Sequence, residues 1–329
     1  MSPDILLIDI NGLGYAAMYQ PNLSRLAHKG FLTGGIHGAL ASVFMRMTEM
    51  PESTPVVIWD GHTPWRKELD PDYKSNRSDD PGKVAIRNSY ALQVPYIQLI
   101  LNCLGIPQVR CASAEADDVA GVICREIDPS WTIELNSKDG DWWQALNRHI
   151  SWYSPASRQH VTLASFADPA TGLKDGHFLT PWEFLQAKAL AGDTSDAIRG
   201  IEGVGLKTAA KIMRDNGGDI DTFWSRMDAG GKPKGMKELR VAQQDSRDIY
   251  QRNIVLMDWR LAPEMDTADL AITSGQPRWD EVQALTEQFG LSRTLTKARS
   301  VIGNGRRWGH ALHAVEAALH YRSVQPLQK

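Results

Sequence analysis

Three short apolar runs in the first half of the chain predict strands that are buried on both faces. They extend over Ile5 to Ile8, Pro55 to Trp59 and Trp131 to Leu135. Strands of a parallel sheet are covered by helices on both sides, so they are continuously apolar rather than alternating. Patterns typical of helices lie between the runs, at Gly34 to Met50, Tyr90 to Leu104 and Glu115 to Ile127. This alternation predicts an α/β fold with a central, mostly parallel sheet flanked by helices.

The pattern changes after about residue 178, where helical periodicity continues and no strand is predicted. The predicted helices here are Pro181 to Ala191, Leu206 to Asp215, Met236 to Met257, Trp279 to Gln288 and Arg293 to Val301. We therefore divide the chain into an α/β core at residues 1–178 and a helical region at residues 179–329 that packs against it. Residues 61–87 are polar, and by composition alone they are typical of a surface loop.

Composition excludes several classes of protein. The 329 residues carry a net charge of −3, which argues against a protein that coats nucleic acid through uniform positive charge but allows an enzyme with its acids at one site. Three cysteines without a Cys-x-x-Cys motif predict neither a disulfide framework nor a zinc site. The N-terminus has no signal-peptide pattern, and no apolar run approaches the roughly 20 residues of a membrane helix. We therefore expect a cytoplasmic protein that does not enter a membrane.

Acidic residues follow all three predicted strands. Asp9 and Asp60 end the first two, while Asp139 and Asp141 follow the third. In open α/β sheets, ligands bind outside the carboxyl ends of the strands, so we expect these side chains to meet at one edge. A single Asp in such a position is usually a turn residue or a helix cap. Acids after three separate strands instead favour a site.

Two further acidic clusters complete the set. Glu115, Asp117 and Asp118 begin a predicted helix, where acids favour the helix dipole, but so many acids would also repel one another without a cation. Asp193 and Asp196 are three residues apart, so one helical turn would place them on the same side. Carboxylate oxygens suit Mg²⁺ and Mn²⁺, and a pair of such ions can stabilise the attacking and the leaving oxygen of phosphoryl displacement. The candidate ligands are Asp9, Asp60, Glu115, Asp117, Asp118, Asp139, Asp141, Asp193 and Asp196.

The order and spacing of these segments resemble those of the 5′ nuclease family. That family includes flap endonucleases, the 5′ exonuclease domain of bacterial DNA polymerase I and stand-alone phage exonucleases. The resemblance extends over residues 4–215, and two basic motifs are similar to the phage members in particular. The matching motifs are Asp9 after an apolar strand, Asp60-Gly61, Trp65-Arg66-Lys67-Glu68, Tyr73-Lys74-x-Asn76-Arg77, Glu115-Ala116-Asp117-Asp118, Ser137-Lys138-Asp139-Gly140-Asp141 and Gly192-Asp193-x-x-Asp196.

The resemblance implies a 5′ nuclease or PIN-like fold and a role for each acidic residue. Two ions, Mg²⁺ or Mn²⁺, would bind at the central sheet, with Asp9 and Asp118 in support. The ligands of one ion would be Asp60, Glu115, Asp117 and Asp139, and those of the other would be Asp141, Asp193 and Asp196.

Residues 61–100 would form the family's helical arch or clamp, which receives a 5′ single strand. Lys74 and Arg77 would contact the scissile phosphate, with Arg66 nearby and Tyr73 available for stacking. Basic side chains there would neutralise charge that develops on the phosphate. Residues 78–82 (Ser-Asp-Asp-Pro-Gly) add acids and a proline, which predicts an interruption within the arch.

Residues 201–209 resemble the family's helix-hairpin-helix element, which we place within residues 192–215. Gly203 and Gly205 would let the backbone approach a phosphate, and the following helix would direct its N–H groups at the anion. Lys207, Thr208 and Lys211 would add contacts to DNA. In relatives, backbone carbonyls of this element can hold a monovalent cation, which implies a K⁺ site.

The implied function is that of a metal-dependent 5′–3′ exonuclease or structure-specific flap endonuclease that acts as a monomer on DNA. Its substrates would be 5′ ends, flaps and RNA–DNA hybrids, and its role would lie in DNA replication, primer removal or degradation of host DNA. The balance between exonuclease and endonuclease action, the preferred metal and the DNA or RNA preference stay open.

Three alternatives make different predictions. A HAD-type phosphatase requires Asp-x-Asp, whereas this chain has Asp9-Ile10-Asn11. A protein that binds DNA without cutting it would lack some of the acidic ligands, yet every mapped position is filled. An RNA-cutting PIN domain would be shorter and would lack the hairpin of Gly203 and Gly205.

Overall fold

The computed structural model of the protein describes residues 2–78, 80–168, 178–303 and 308–321. Its strands, in chain order, are β1 (Ile5–Asp9), β2 (Ala27–His28), β3 (Phe31–Leu32), β4 (Thr54–Trp59), β5 (Gln108–Cys111), β6 (Ile133–Asn136), β7 (Ile150–Ser154), β8 (Gln159–Val161), β9 (Gly192–Asp193), β10 (Ile198–Arg199) and β11 (Leu270–Thr273). Within these residues, seven strands form one sheet in the order β11-β5-β4-β1-β6-β7-β8. The five inner strands are parallel, while β8 and β11 pair antiparallel at the two edges. The prediction of a mostly parallel central sheet is therefore confirmed.

The helices flank this sheet. They are α1 (Ile10–Ala17), α2 (Pro21–Ser24), α3 (Gly34–Glu49), α4 (Pro64–Leu69), α5 (Pro81–Ala91), α6 (Val94–Cys103), α7 (Ala116–Glu126), α8 (Pro181–Ala191), α9 (Leu206–Arg214), α10 (Ile220–Asp228), α11 (Met236–Val241), α12 (Gln244–Met257), α13 (Trp279–Gln288), α14 (Ser292–Ile302) and α15 (Gly309–Tyr321). Short 3₁₀ helices cover Ser75–Ser78, Gly140–Ala145 and Thr267–Asp269. None of the described helices is both long enough and apolar enough to span a bilayer.

Successive residues of β1 and β4 contribute to two different apolar cores. Ile5 and Leu7 of β1 belong to one core, while Leu6 and Ile8 belong to the other. Side chains alternate between the two faces of a strand, so a continuously apolar strand needs a cover on both sides. Helices α8, α9, α12 and α15 lie on one side, and α3, α6, α13 and α14 lie on the other. The C-terminal half of the chain therefore covers both faces.

Several element predictions were wrong in detail. Strands β9, β10 and β11 lie after residue 178, where no strand was predicted. The first two are a pair of only two residues each, and β11 has half-buried and exposed residues rather than the continuous apolar run of an inner strand. The predicted helix over Tyr90 to Leu104 is divided between α5 and α6, and Pro95 lies in the first turn of the second of them. The predicted helix over Met236 to Met257 is two helices, because the backbone at Gln243 is extended.

The polar stretch at residues 61–87 contains helices rather than a plain loop. Helix α4 and the 3₁₀ turn at Ser75–Ser78 lie within it, and α5 begins there. Pro81, predicted to interrupt the arch, instead starts α5, because proline suits the first helical turn. Asp80 is the N-cap and accepts hydrogen bonds from two backbone N–H groups of that turn. Asp79, part of the same predicted interruption, lies outside the described residues.

A buried charge pair anchors β6 to α3. Arg46 is 3% exposed, and its guanidinium pairs with buried Glu134 and with Glu49, which is partly exposed. The Nε of Arg46 also donates to Oδ1 of Asn136 at 3.1 Å. Asn136 is the last residue of β6 and directly precedes Ser137, so this pair holds the end of the strand that leads to Asp139.

We expect Glu134→Ala to lower the free energy of unfolding by about 3 kcal/mol or more, because it leaves a buried guanidinium without its buried partner. Glu49→Ala removes the exposed partner of the same guanidinium, so its effect should be at most about 1 kcal/mol. Urea denaturation followed by tryptophan fluorescence measures both values. Equal decreases for the two variants would contradict this account of the pair.

Candidate functional site

Asp9 and Asp60 lie at the carboxyl ends of the adjacent parallel strands β1 and β4. Asp9 accepts hydrogen bonds from the N–H of Gly12 and the hydroxyl of Ser137, both at 2.8 Å. Asp60 accepts from Nδ2 of Asn11 and from the N–H of Ala116, both at 3.0 Å. These hydrogen bonds join the ends of β1, β4 and β6 and the start of α7 around one edge of the sheet.

The acids at the start of α7 have three different environments. Both oxygens of Asp118 accept from the guanidinium of Arg66, at 2.6 and 2.9 Å. Asp117 accepts from Nε1 of Trp142 at 2.8 Å. Glu115, the N-cap residue, accepts from the ammonium of Lys74 at 2.6 Å and receives further hydrogen bonds from Arg66 and from Tyr73. Only part of this cluster is thus neutralised by cations of the chain itself.

Lys188 joins two acids that are far apart in the sequence. It lies on α8, and its ammonium pairs with Asp141 and, at 2.7 Å, with Asp193. Asp139 precedes the 3₁₀ helix that carries Asp141, and its carboxylate accepts the N–H of Asp141 at 2.9 Å. Asp193 also accepts from the N–H and the hydroxyl of Ser195. The strand-end acids are in this way connected to the loop after α8.

Asp196 lies against the basic part of the predicted arch. Its carboxylate is 3.2 Å from Nη2 of Arg77 and 3.7 Å from Nζ of Lys74. The backbone N–H of Lys74 donates to the carbonyl of Asp196 at 2.7 Å. Lys74 has a φ of 57°, a left-handed conformation that is uncommon for residues other than glycine. Such conformations persist where the surroundings hold them, and they are frequent at functional sites.

Three acids of this edge hold their protons more tightly than an ordinary carboxyl group. Burial, with the negative charge of Asp60, raises the pKa of Asp9 to about 7. Burial and the charges of Asp139 and Glu115 raise the pKa of Asp117 well above its usual value. Burial and Asp139 likewise raise the pKa of Asp141 to about 6, although Lys188 opposes this. The acids are therefore close enough to repel one another in a poorly solvated environment.

Two other acids are shifted the opposite way by adjacent cations. Burial raises the pKa of Glu115, but the charges of Lys74 and Arg66 outweigh it and lower the pKa to about 2. In Asp193, burial is likewise outweighed by Lys188, and the pKa is lowered to about 2. The site therefore contains two kinds of carboxylate: those that are paired with a basic side chain of the protein, and those that have too little positive charge nearby.

The donor chemistry of this edge fits hard divalent cations. Carboxylate oxygens are the ligands that such ions take, and a bound cation would favour the ionised forms of Asp9, Asp117 and Asp141. Oδ1 of Asn11 is buried beside Asp60 and has no hydrogen-bond partner among the described residues, which is unusual for a native amide. As they stand, no three His, Cys, Asp or Glu side chains of the described residues form a group that could hold a metal ion. An ion would therefore require side chains such as Lys188 to move.

The predicted phosphate-binding and stacking residues are not equally accessible. Arg77 is exposed, whereas Lys74 is partly buried. Arg66 is 4% exposed, and its donors are directed at Asp118, Glu115 and the carbonyl of Leu256. Tyr73 is buried, and its hydroxyl donates to Glu115 at 3.0 Å. Arg66 and Tyr73 therefore support acidic side chains in this structure rather than presenting a free surface.

The predicted hairpin has the backbone that its glycines suggested. Gly203 has a φ of 73°, in the region that favours glycine, while Gly205 is extended and is the N-cap residue of α9. Lys207 and Lys211 are exposed, and Thr208 is half-buried on the first turn of the same helix. Lys211 pairs with Asp215 at 2.8 Å. The structure places these residues on the surface.

Sequence reasoning did not assign four residues that organise the acids. They are Asn11, Ser137, Trp142 and Lys188. Ser137 lies within a motif that was recognised, and Lys188 lies on a correctly predicted helix, five positions before Asp193. Neither the serine nor the lysine differs in local pattern from an ordinary turn residue or a helix surface residue, so only the packing reveals their roles.

Two family models match the chain. One, the N-terminal resolvase-like domain of 5′-3′ exonucleases, matches residues 4–170, and the other, their C-terminal SAM fold, matches residues 179–278. DNA polymerase I of Synechocystis sp. is 30% identical over 227 residues, which are 65% of this chain and 22% of that protein. The chain spans between 22% and 34% of the polymerase I relatives it matches. The flap endonuclease of Escherichia phage T5 is 27% identical over 266 residues, 78% of this chain and 83% of that protein.

Solved structures share the fold. T5 5′-exonuclease with bound divalent zinc ions superposes with a TM-score of 0.64 and 20% identity, over 92% of this chain and 99% of that chain. Human GEN1 in complex with Holliday junction DNA gives a TM-score of 0.57 and 15% identity, over 91% of this chain and 72% of that chain. The two family models show that this chain belongs to the 5′–3′ exonuclease family, whose members are nucleases, and the solved structures show the same fold.

Proposed function

We propose that this protein is a divalent-metal-dependent nuclease that hydrolyses DNA at 5′ ends and flaps by a two-metal-ion mechanism. One observation carries the proposal: acids from separate segments are electrostatically coupled at the carboxyl edge of the sheet, beside basic side chains of the arch. A cap or a turn needs one carboxylate, whereas this excess of buried carboxylates must be neutralised by protons or by added cations. The family models and the metal ions present in T5 5′-exonuclease support the same conclusion.

Two groups of acids would hold the ions. Asp9 and Asp118 would have supporting roles, because Asp9 accepts from Gly12 and Ser137 while both oxygens of Asp118 are bound by Arg66. When bound, a pair of divalent ions would lower the pKa of a water molecule and neutralise charge on the leaving oxygen. The groups would be Asp60, Glu115, Asp117 and Asp139 for one ion and Asp141, Asp193 and Asp196 for the other.

The basic side chains of the chain would orient the substrate. Lys74 and Arg77 lie beside the acids at the base of the arch, where they could bind the scissile phosphate and neutralise charge that increases during cleavage. In the free protein Lys74 is held by Glu115 at 2.6 Å, so the ammonium is already positioned before DNA binds. Lys188 would keep Asp141 and Asp193 together until an ion replaces it.

The remaining parts of the proposal concern the ions, the substrates, the oligomeric state and the biological role. We propose Mg²⁺ or Mn²⁺ as the ions, RNA–DNA hybrids as additional substrates, and a monomer that works in the cytoplasm during DNA replication, primer removal or degradation of host DNA. The polymerase I relatives and the phage T5 relative support a role in DNA metabolism.

K⁺ at the hairpin stays a prediction. A carbonyl oxygen of that turn, from Glu202, already accepts a hydrogen bond from Arg240 at 2.6 Å.

Asp139→Asn should reduce kcat with magnesium by on the order of a hundredfold or more, because it removes a charge from the acid cluster while keeping the side-chain shape. Asp128→Asn is the matched control, since Asp128 is exposed and precedes β6 at the opposite end of that strand. Cleavage of a 5′-labelled flap, a blunt duplex and an RNA–DNA hybrid measures the effect, and product lengths separate exonuclease from endonuclease action. Full activity of Asp139→Asn would refute the proposal.

Lys74→Ala should lower kcat on the flap substrate by roughly a hundredfold, since one group that stabilises the transition state is removed. The change should appear mainly in kcat, because Arg77 and the hairpin still bind the substrate. Lys297→Ala, an exposed lysine on α14, should leave kcat and KM unchanged. A higher KM with normal kcat for Lys74→Ala would instead indicate a role in binding alone.

Lys188→Met should destabilise the metal-free protein by up to about 3 kcal/mol, because two adjacent carboxylates lose their shared cation. Added Mg²⁺ should then raise the Tm of this variant by more than it raises the Tm of the unmodified protein, since the ion no longer competes with an ammonium. Thermal unfolding with Mg²⁺ and with EDTA measures both shifts. Equal shifts in the two proteins would show that Lys188 and the ion do not share ligands.

A further inference from the structure

We infer that Trp142 is a positioning residue of the metal site: its indole holds Asp117 in the orientation that a divalent ion requires, and Trp259 of the C-terminal half holds the indole. Trp142 and Trp259 are called the tryptophan pair from here on. The inference rests on the proposed nuclease function and extends it to two residues outside the proposed ligand set. It also gives the C-terminal half a part in shaping the metal site.

The side chain of Trp142 is fully buried, and its N–H contacts a candidate metal ligand. Nε1 of Trp142 donates to Oδ1 of Asp117 at 2.8 Å, and the Trp142 side chain is 0% exposed. Complete burial excludes stacking of this ring on the bases of a substrate. The hydrogen bond fixes one oxygen of the carboxylate, so the other oxygen can be directed at an ion.

The donor to Asp117 differs from the donors to the neighbouring acids because it carries no charge. Glu115 is paired with the ammonium of Lys74, and Asp118 is paired with the guanidinium of Arg66. A cationic partner competes with an ion for the same oxygens, whereas the neutral N–H of an indole orients a carboxylate without neutralising it. Asp117 is therefore held in place and can still use its full negative charge on an ion.

The indole of Trp142 is in turn fixed by Trp259. The two rings meet edge to face, with centroids 5.6 Å apart and an angle of 88° between their planes. Trp259 is itself buried and lies just after α12. Edge-to-face contact is a preferred arrangement of aromatic rings, so it restrains the orientation of the Trp142 ring in addition to burying it.

Gln144 joins the backbone on both sides of the tryptophan pair. Its Nε2 donates to the carbonyl of Asp141 at 2.9 Å and to the carbonyl of Met257 at 3.1 Å. Its Oε1 accepts the backbone N–H of Trp259 at 2.9 Å. The segment after α12 is thus attached to the 3₁₀ helix that carries both Asp141 and Trp142.

Helix α7 brings Trp259 close to Asp117 through a glycine. Gly121 is four positions after Asp117, so it lies one turn further along the same face of the helix. A Cβ atom at Gly121 would be 2.8 Å from Cβ of Trp259, so a larger residue would push Trp259 away from α7. The packing of the C-terminal half on α7 is thereby coupled to the position of the metal ligand.

The test compares two adjacent tryptophans. Trp142→Phe keeps an aromatic ring but removes the donor to Asp117, so it should weaken the binding of Mn²⁺ by about tenfold or more. Trp143→Phe is the matched control, because Trp143 is also buried and its Nε1 has no hydrogen-bond partner among the described residues. Its affinity for Mn²⁺ should equal that of the unmodified protein. Isothermal titration calorimetry of the DNA-free protein measures the affinities, and circular dichroism verifies that both variants are folded.

The loss of affinity should depend on Asp117 itself. In the Asp117→Asn protein, Trp142→Phe should cause no further loss of Mn²⁺ affinity, because the carboxylate that the indole orients is already absent. A merely structural role of Trp142 would instead weaken binding by the same factor in both backgrounds.

A second measurement needs no variant. In the nuclear magnetic resonance spectrum of protein with isotope-labelled indole nitrogens, the Nε1–H signal of Trp142 should shift when Mg²⁺ is added, because its acceptor then also binds an ion. The signal of Trp143 should stay in place. The two signals are assigned from contacts with neighbouring rings, those of Trp259 and Phe184 respectively. A Trp142 signal that does not move at saturating Mg²⁺ overturns the inference even if Trp142→Phe fails to fold.

The outcomes distinguish this inference from the proposed function. Equal Mn²⁺ affinities of Trp142→Phe and of the control overturn the inference and leave the nuclease assignment intact. A selective loss of affinity in Trp142→Phe supports the inference even if the unmodified protein cleaves no DNA, in which case the proposed function alone fails. If the unmodified protein binds no Mn²⁺ at all, both are wrong.

Discussion

Repulsion among carboxylates that share one poorly solvated edge is the constraint on which the arrangement around the sheet depends. Asp9, Asp117 and Asp141 all have raised pKa values, and neighbouring acids are among the causes in each. Isolated buried charges are costly, so a fold that keeps such carboxyl groups must hold them protonated or place cations beside them. The ion pairs at this edge and the metal binding that we propose for it are therefore two responses to the same excess of carboxylates.

Basic side chains from distant segments of the chain neutralise part of this negative charge. Arg66 and Lys74 come from residues 61–100, and Lys188 comes from a helix of the C-terminal half, yet all three pair with acids of the same edge. These pairs also join residues 61–100 and the C-terminal half to the sheet. A ligand that binds the acids would alter all of these contacts at once.

The C-terminal half of the chain packs against the sheet because its helices complete both apolar cores. Helices α8 and α12 complete the core on one face, while α13 and α14 complete the other, and β11 extends the sheet at its edge. Parallel strands that are apolar on both faces need this double cover. Helix α9, which carries Lys207 and Lys211, is thereby packed into the same scaffold.

The fold class and the acidic candidates could be predicted from sequence because both depend on local pattern. Inner strands are continuously apolar, and an acid after such a strand must lie at the sheet edge, so Asp9, Asp60 and Asp139 were identifiable from their positions alone. Strand β11 was missed because an edge strand lacks that pattern.

What the sequence by itself determined is the class of the fold and which acids follow its strands. Only the tertiary structure decided which cation neutralises which acid. Arg66 lies in a stretch that is polar like a surface loop, yet it is buried against Asp118, and Lys188 resembles any helix lysine until Asp141 approaches it. The physical reason is that an ion pair between distant segments depends on distance in space and on exclusion of water, and neither is encoded in the neighbouring residues.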